Sequence, residues 1–393
     1  MLYNGLNRLV LISCIIDAFG DALCGGAVMV YFVESIGGSI TSYGNLRILW
    51  KVFGNISSWI MGILVDKIAL YIPLVTSCFG SVVGYFVTAI SPNMTFLLYI
   101  TAFTSLFDSS GGMLKKIVRL NIPEQERASF YAKFSSITNF FYAFVPLLGS
   151  ALSYNASPRA PFFVVSGISF VLFIIIMYSI VKQGFEKLKY SQVSENNTKG
   201  EQKVNKSLIL FVVTSNILFE QSATFNNFSR VFFIKDKFNL NVVQTSLIIS
   251  TEGIIDTIVA LFASRVLSNI NQANVYIWAP FFMFLSSLTR YTFPDDILQT
   301  ILMFILSVIM DCICGNFICS VISSSTTTLL PFDYIGRFKA ITNTVDTITE
   351  IFCIKLASHF YIIDNKLPFL FSMIVSILGS VVGILITQKY KNM

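Results

Sequence analysis

Apolar blocks about 20 residues long recur along nearly the whole chain. One polar run interrupts them near the midpoint, Lys182 to Lys206, KQGFEKLKYSQVSENNTKGEQKVNK. The blocks before it fall at about 8–33, 42–63, 70–90, 93–113, 130–153 and 160–181; those after it fall at about 207–233, 243–264, 273–291, 296–322, 339–361 and 368–388. A hydrocarbon layer roughly 30 Å thick needs about 20 apolar residues per helical crossing, because every backbone amide must be satisfied within its own segment. The short alternating runs of a closed β-barrel are absent. The pattern predicts an all-α polytopic membrane protein with twelve transmembrane helices. They form two six-helix bundles, 1–181 and 207–393, joined by a hydrophilic linker over 182–206.

Composition sharpens this picture. The chain is 54% hydrophobic and only 12% charged, with a mean hydropathy of +0.72, whereas a soluble domain carries about 25% charged residues. The net charge of +6 could suggest a nucleic-acid partner, but the basic residues are spread thinly through short loops. Topology accounts for them better, since Lys and Arg are retained on the cytoplasmic side. If the linker and both ends are cytoplasmic, that side holds most of the basic residues, among them Arg8, Lys115, Lys116, Arg119, Arg127, Lys187, Arg265 and Arg337. The opposite side then holds Arg159, Arg230, Lys235, Lys237, Arg290 and Lys366. The first block contains Asp17 and Asp21 and is too long for a signal-peptide core, so it reads as a mature helix. The seven cysteines lie mostly within apolar blocks, and Cys312 and Cys314 are too close for a CxxC site. Neither a disulfide framework, nor a zinc site, nor a cofactor is predicted.

The halves also echo one another. A shift of 201 positions places Tyr31-Phe32-Val33 on Phe232-Phe233-Ile234, Lys51 on Glu252 and Asn55 on Asp256, and a shift of 203 places Asp108 on Asp311. Pro123 and Arg127 similarly meet Pro331 and Arg337, each pair ahead of a fifth segment.

The stretch YFVESIGGSITSYGNLRILWKVFGNISSWIMGILVDK, residues 31–67, resembles the first outer loop, the second helix and the start of the 2–3 loop signature of the major facilitator superfamily. Gly62, Asp66 and Lys67 match that signature, while Ala69, Leu70 and Tyr71 stand where it has a second glycine and two bases. PEQERASFYAKF (123–134) and GRFKAITN (336–343) are similar to the family's 4–5 and 10–11 loops, and Pro146 with Gly149 to its fifth-helix motif. The arginine that the family associates with proton coupling in the fourth helix is missing; Asp108 is the only charge there. The resemblance implies two pseudo-symmetric bundles around a central cavity that opens alternately to either side, lined by the first, fourth, seventh and tenth helices.

An ionised group at mid-bilayer costs at least about 2.5–3.5 kcal/mol on insertion scales, so it is retained chiefly where it faces a cavity or a partner. Asp17 and Asp21 are four apart, hence on one helix face and about 6 Å from each other, close enough to share a proton. Glu220, with Gln221 beside it, lies at comparable depth in the seventh segment, and Asp108 and Asp311 lie nearer the cytoplasmic side of the fourth and tenth. These residues are the candidate substrate or proton ligands; the rival reading is that some only hydrogen-bond to neighbouring side chains. A second set, Arg47 and Lys51, Glu252 and Asp256, and Asp346 and Glu350, also shows spacings of four. Lys51 and Glu350 are candidates for an inter-bundle gating pair, the rival being that Arg47 and Lys51 hold an anionic group of the substrate. Asp66 and Lys67 fit a latch at the cytoplasmic rim, and His359, the only histidine, fits an interfacial position better than a proton relay.

The reading is a secondary active transporter, not an enzyme, that moves a small solute by alternating access. Acids outnumber bases within the segments, which favours a cationic or zwitterionic solute, with protons as a candidate co-substrate. Facilitated diffusion stays open, as does a non-transporting membrane sensor or scaffold of the same fold. The expected setting is a monomer in the lipid bilayer of the cell (plasma) membrane with both termini cytoplasmic.

Overall fold

The computed structural model describes residues 5–67, 71–107, 113–114, 124–183, 206–267, 270–294, 297–329 and 332–391. Among them run α1 (Gly5–Cys24), α2 (Gly26–Ser35), α3 (Ile40–Lys67), α4 (Tyr71–Ile90), α5 (Met94–Ser105), α6 (Glu124–Asn155) and α7 (Ala160–Gln183). After the linker come α8 (Lys206–Phe238), α9 (Val242–Val266), α10 (Gln272–Tyr291), α11 (Ile297–Leu329), α12 (Phe332–Ile363) and α13 (Leu367–Lys391). Among the described residues, seven helices are long and apolar enough to cross a membrane, eight if α1 and α2 count as one bent span. Large apolar side chains such as Val171, Leu302 and Phe352 are exposed along them, as a lipid-embedded surface requires and a water-facing one would not tolerate. The chain is a multi-pass membrane protein.

Helix ends follow local chemistry. The segment expected to run unbroken over 8–33 is two helices bent by 54°. Gly26 has φ +53°, a left-handed conformation that favours glycine, and the Gly25 N–H closes α1 by donating to the Asp21 carbonyl at 2.8 Å. Between α8 and α9, Asn239 turns the chain at φ 49°. Asn241 and Gln244 then cap each other's backbone N–H reciprocally at 3.0 Å, the side-chain logic of a capping box. Asn93 and Asn271 cap α5 and α10 by accepting from Phe96 N–H and Ala273 N–H.

Contacts divide the chain into two compact units, one of residues 1–198 with 240–250, the other of 199–239 with 251–393. In the first, Leu9, Val10 and Cys14 of α1, Leu74 and Cys78 of α4, and Leu172 and Ile176 of α7 form a buried core. Its helices approach closely: a Cβ on Gly149 of α6 would lie 2.0 Å from the Leu23 carbonyl oxygen. In the second, a core of Val212, Phe219, Tyr276, Met283, Phe317 and Ile318 is bordered by a polar seam. There Ser222 meets the Ser372 and Ser376 hydroxyls at 2.8 and 2.6 Å, and Ser287 meets Ser372 at 2.8 Å. A Cβ on Gly383 of α13 would lie 2.0 Å from the Tyr276 carbonyl oxygen. Lipid tails are as apolar as leucine, so small residues that bring backbones together, and hydroxyls that pair across helices, supply the cohesion that burial supplies in water.

Candidate functional site

In the first unit the aspartates of α1 meet the hydroxyls of α4 in register. The Ser81 hydroxyl donates to Asp17 Oδ1 at 3.3 Å and the Tyr85 hydroxyl donates to Asp21 Oδ1 at 3.1 Å. Both pairs are four residues apart, so one turn of each helix carries one carboxylate–hydroxyl contact. Gly20 leaves room for this: a Cβ there would lie 2.8 Å from Val165 Cγ1 and 3.0 Å from the Tyr85 oxygen. Asp17 is half-buried and Asp21 exposed. Asp21 sits in the last turn of α1, where a helix leaves its final carbonyls without a following turn and carries the negative end of its dipole. Two carboxylates and two hydroxyls thus gather oxygen atoms beside the C-terminal end of α1.

In the second unit, four helices bring together charges that the sequence left apart. Arg290 of α10 pairs with Asp311 Oδ2 of α11 at 2.6 Å, the side chains being 1% and 12% exposed. Arg290 Nε also donates to the Ser307 hydroxyl at 3.1 Å. Asn226 of α8 donates to both Asp311 oxygens at 3.1 and 3.2 Å. One turn on, Arg230 holds Glu252 Oε2 of α9 at 2.7 Å. Asp256, a turn beyond Glu252, accepts from Asn316 of α11 at 2.7 Å. Asp311, Glu252 and Asp256 thus belong to one network, although the sequence had put Asp311 with the candidate ligands and the other two in the second set of charges spaced by four.

Arg230 and Arg290 are the residues that sequence reasoning placed elsewhere, as outer-side basic residues. Both lie on helices and reach inward, Arg290 from the last turn of α10. The available signal was the imbalance itself, because acids inside lipid need partners and the bases at the segment ends are long enough to supply them. Ser81 and Tyr85 carried no comparable signal; hydroxyls are common in membrane helices.

Apart from Asp108, the remaining candidates lie on α3, α8 and α12. Glu220 is exposed and Gln221 half-buried on α8. Asp346 of α12 accepts from Asn216 at 3.2 Å, and Glu350 lies half-buried one turn on. Arg47 and Lys51 are half-buried on α3, and Arg47 Nε has no hydrogen-bond partner. Gly62, Asp66 and Lys67 fall in the last turns of α3, but their side chains lie outside the described residues, and Asp108 lies outside them altogether. His359 is exposed near the end of α12, its ring 6.5 Å from that of Phe360.

A family model described as Major Facilitator Superfamily matches residues 10–352. No curated protein sequence matches the chain. Among solved structures, the crystal structure of a bacterial homologue of the iron transporter ferroportin in an inward-facing state is similar, with a TM-score of 0.73 at 13% identity, covering 97% of this chain and 98% of that one. The structure of a bacterial metal transporter is similar with a TM-score of 0.67 at 12% identity, covering 98% of this chain and 99% of that one. At such identities the likeness is one of fold.

Proposed function

This chain belongs to the Major Facilitator Superfamily and is a membrane transporter, and on that premise we propose that it moves a small cation by alternating access, held by Asp17 and Asp21. The observation that carries this reading is the register of the two α1 carboxylates on the Ser81 and Tyr85 hydroxyls, directly before the bend at Gly25. Broken membrane helices present carbonyls and a negative dipole end where a cation must be coordinated without water. Carboxylates, hydroxyls and carbonyls are hard donors, suited to divalent ions such as Mn²⁺ or Fe²⁺ and to compact ammonium groups. Of the similar structures named above, one is described as a homologue of an iron transporter and the other as a metal transporter, which makes divalent metal the first probe. Among the described residues no cluster of three or more His, Cys, Asp or Glu side chains could hold a metal ion. Weak, partly hydrated binding by two carboxylates suits a carried ion, which must also leave.

The same proposal takes in the rest of the assignment. It has twelve crossings in two bundles, with the linker and both ends cytoplasmic. Glu220, Gln221, Asp108 and Asp311 are further polar groups of the pathway. Arg47, Lys51, Asp346, Glu350 and the Gly62–Lys67 turn are gating elements.

Reconstituting the protein in proteoliposomes loaded with a metal-sensitive dye tests it. Wild type should pass Mn²⁺ or Fe²⁺, and Asp17→Asn or Asp21→Asn should weaken binding about tenfold or more, equivalent to ~1.4 kcal/mol. Flux unchanged in both variants removes these carboxylates from the pathway. Binding without flux would instead mark a receptor on a transporter fold.

A further inference from the structure

Between α1 and α7 the first unit leaves a groove of about 480 Å³ that no polar side chain lines. Ile12 and Ile16 of α1 face it, and so do Val164, Gly167, Val171 and Ile175 of α7, positions spaced by three and four along one helix face. Gly167 makes the hollow: a Cβ there would meet nothing within 4 Å. From Val164 to Ile175 the helix rises about 16 Å, the scale of one acyl chain in a hydrocarbon layer about 30 Å thick. Walls left bare on one side forfeit their dispersion contacts, so in lipid such a groove takes up a chain that fits it.

One end of the groove is basic. Val165 lies against Gly20, and Leu9 shares a core with Ile176 and Ile180, so α1 and α7 are antiparallel and the start of one lies beside the end of the other. Arg8, exposed, stands one turn before Ile12. Lys182, also exposed, stands two turns beyond Ile175 on the same face of α7, its Nζ 5.9 Å from the ring centre of Tyr178. No acid precedes Asp17 in α1, and none occurs in α7. Basic groups at the ends of membrane helices attract anionic headgroups, and a phosphate accepts charge-assisted hydrogen bonds from guanidinium and ammonium alike. An uncharged apolar solute would fill the groove and leave these bases unmatched. A soluble anion would match the bases and leave the groove bare.

We propose that this groove is a binding site for one anionic glycerophospholipid, an acyl chain lying along Gly167 and the phosphate held by Arg8 and Lys182. Neither feature selects a lipid alone. Tails do not tell one membrane lipid from another, and headgroup charge without a groove does not hold a lipid in one place. The site is separate from the α1 carboxylates and stands whatever solute the protein carries.

A photoreactive phosphatidylglycerol with a diazirine in one acyl chain, added to the full chain in neutral detergent, tests the proposal. Label should concentrate on the peptides of α1 and α7 that line the groove. Unlabelled phosphatidylglycerol should displace it at about tenfold lower concentration than phosphatidylcholine with the same tails. Arg8→Gln combined with Lys182→Gln should bring the two competitors level. Gly167→Leu, which fills the hollow with a good helix former, should cut groove labelling severalfold. Label scattered over the other lipid-facing helices, or equal displacement by the two lipids, would overturn the proposal. Both readings come from the wild type, so they decide the matter even where a variant fails to fold. In folded variants, a preference that survives the loss of both bases, or labelling undiminished by Gly167→Leu, would overturn it as well. Glycerol phosphate carries the charge without the tails and should not compete; displacement by it at the concentration of the lipid would mark a site for soluble phosphates instead and overturn the assignment.

Discussion

Taking a guanidinium out of water costs several kcal/mol even after the surroundings relax, and Arg290, 1% exposed, offsets that cost through Asp311, Ser307 and the ring of Phe304 6.0 Å away. Breaking such a pair from one side is worse than deleting it, because the remaining charge has no counterpart. Arg290→Met is therefore expected to destabilise by about 3–5 kcal/mol, with most of the loss recovered in the double variant Arg290→Met with Asp311→Leu. Thermal unfolding of the purified proteins measures this, and a double variant no better than the single would show that the pair is not the relevant unit. The acid was visible in the sequence as an isolated charge in an apolar block. Its partner was not, because an arginine at a segment end looks like a topology marker until its side chain is seen to turn inward.

Among the helices, interfaces are set by how closely backbones approach. A Cβ on Gly383 has no room beside the Tyr276 carbonyl, whereas one on Gly167 meets nothing within 4 Å. Gly383→Ala should force α10 and α13 apart and cost about 1–3 kcal/mol, while Gly167→Ala should be neutral or slightly stabilising through its effect on the unfolded chain. Comparing the fraction that stays monodisperse on heating separates the two. Equal behaviour would mean that α13 can shift without loss. Periodicity and length predicted where helices run, since a block of about 20 apolar residues has little else to become in lipid. The bend between α1 and α2 was less legible: Gly25 and Gly26 lie in an apolar run, and glycines in membrane helices mark close packing as often as a break.

For the molecule as a whole, the basic residues predict a cytoplasmic linker. In a cysteine-free background, a cysteine at Ser191 should resist a membrane-impermeant maleimide in intact cells and one at Asn93 should react. The reverse pattern would invert the topology. Composition, block length and the linker determined by themselves that the chain is helical and multi-pass, because lipid imposes these constraints one segment at a time, while the motifs of residues 31–67 carried the resemblance to the major facilitators. Only the tertiary structure decided which charges meet. Asp17 and Asp21 acquired Ser81 and Tyr85, and Asp311, Glu252 and Asp256 were drawn into one network with Arg230 and Arg290. The reason is that lipid screens each segment for apolarity regardless of its neighbours, whereas pairing depends on the rotation of each helix about its axis and on side-chain reach. Those are fixed by packing against other helices, which no single segment encodes.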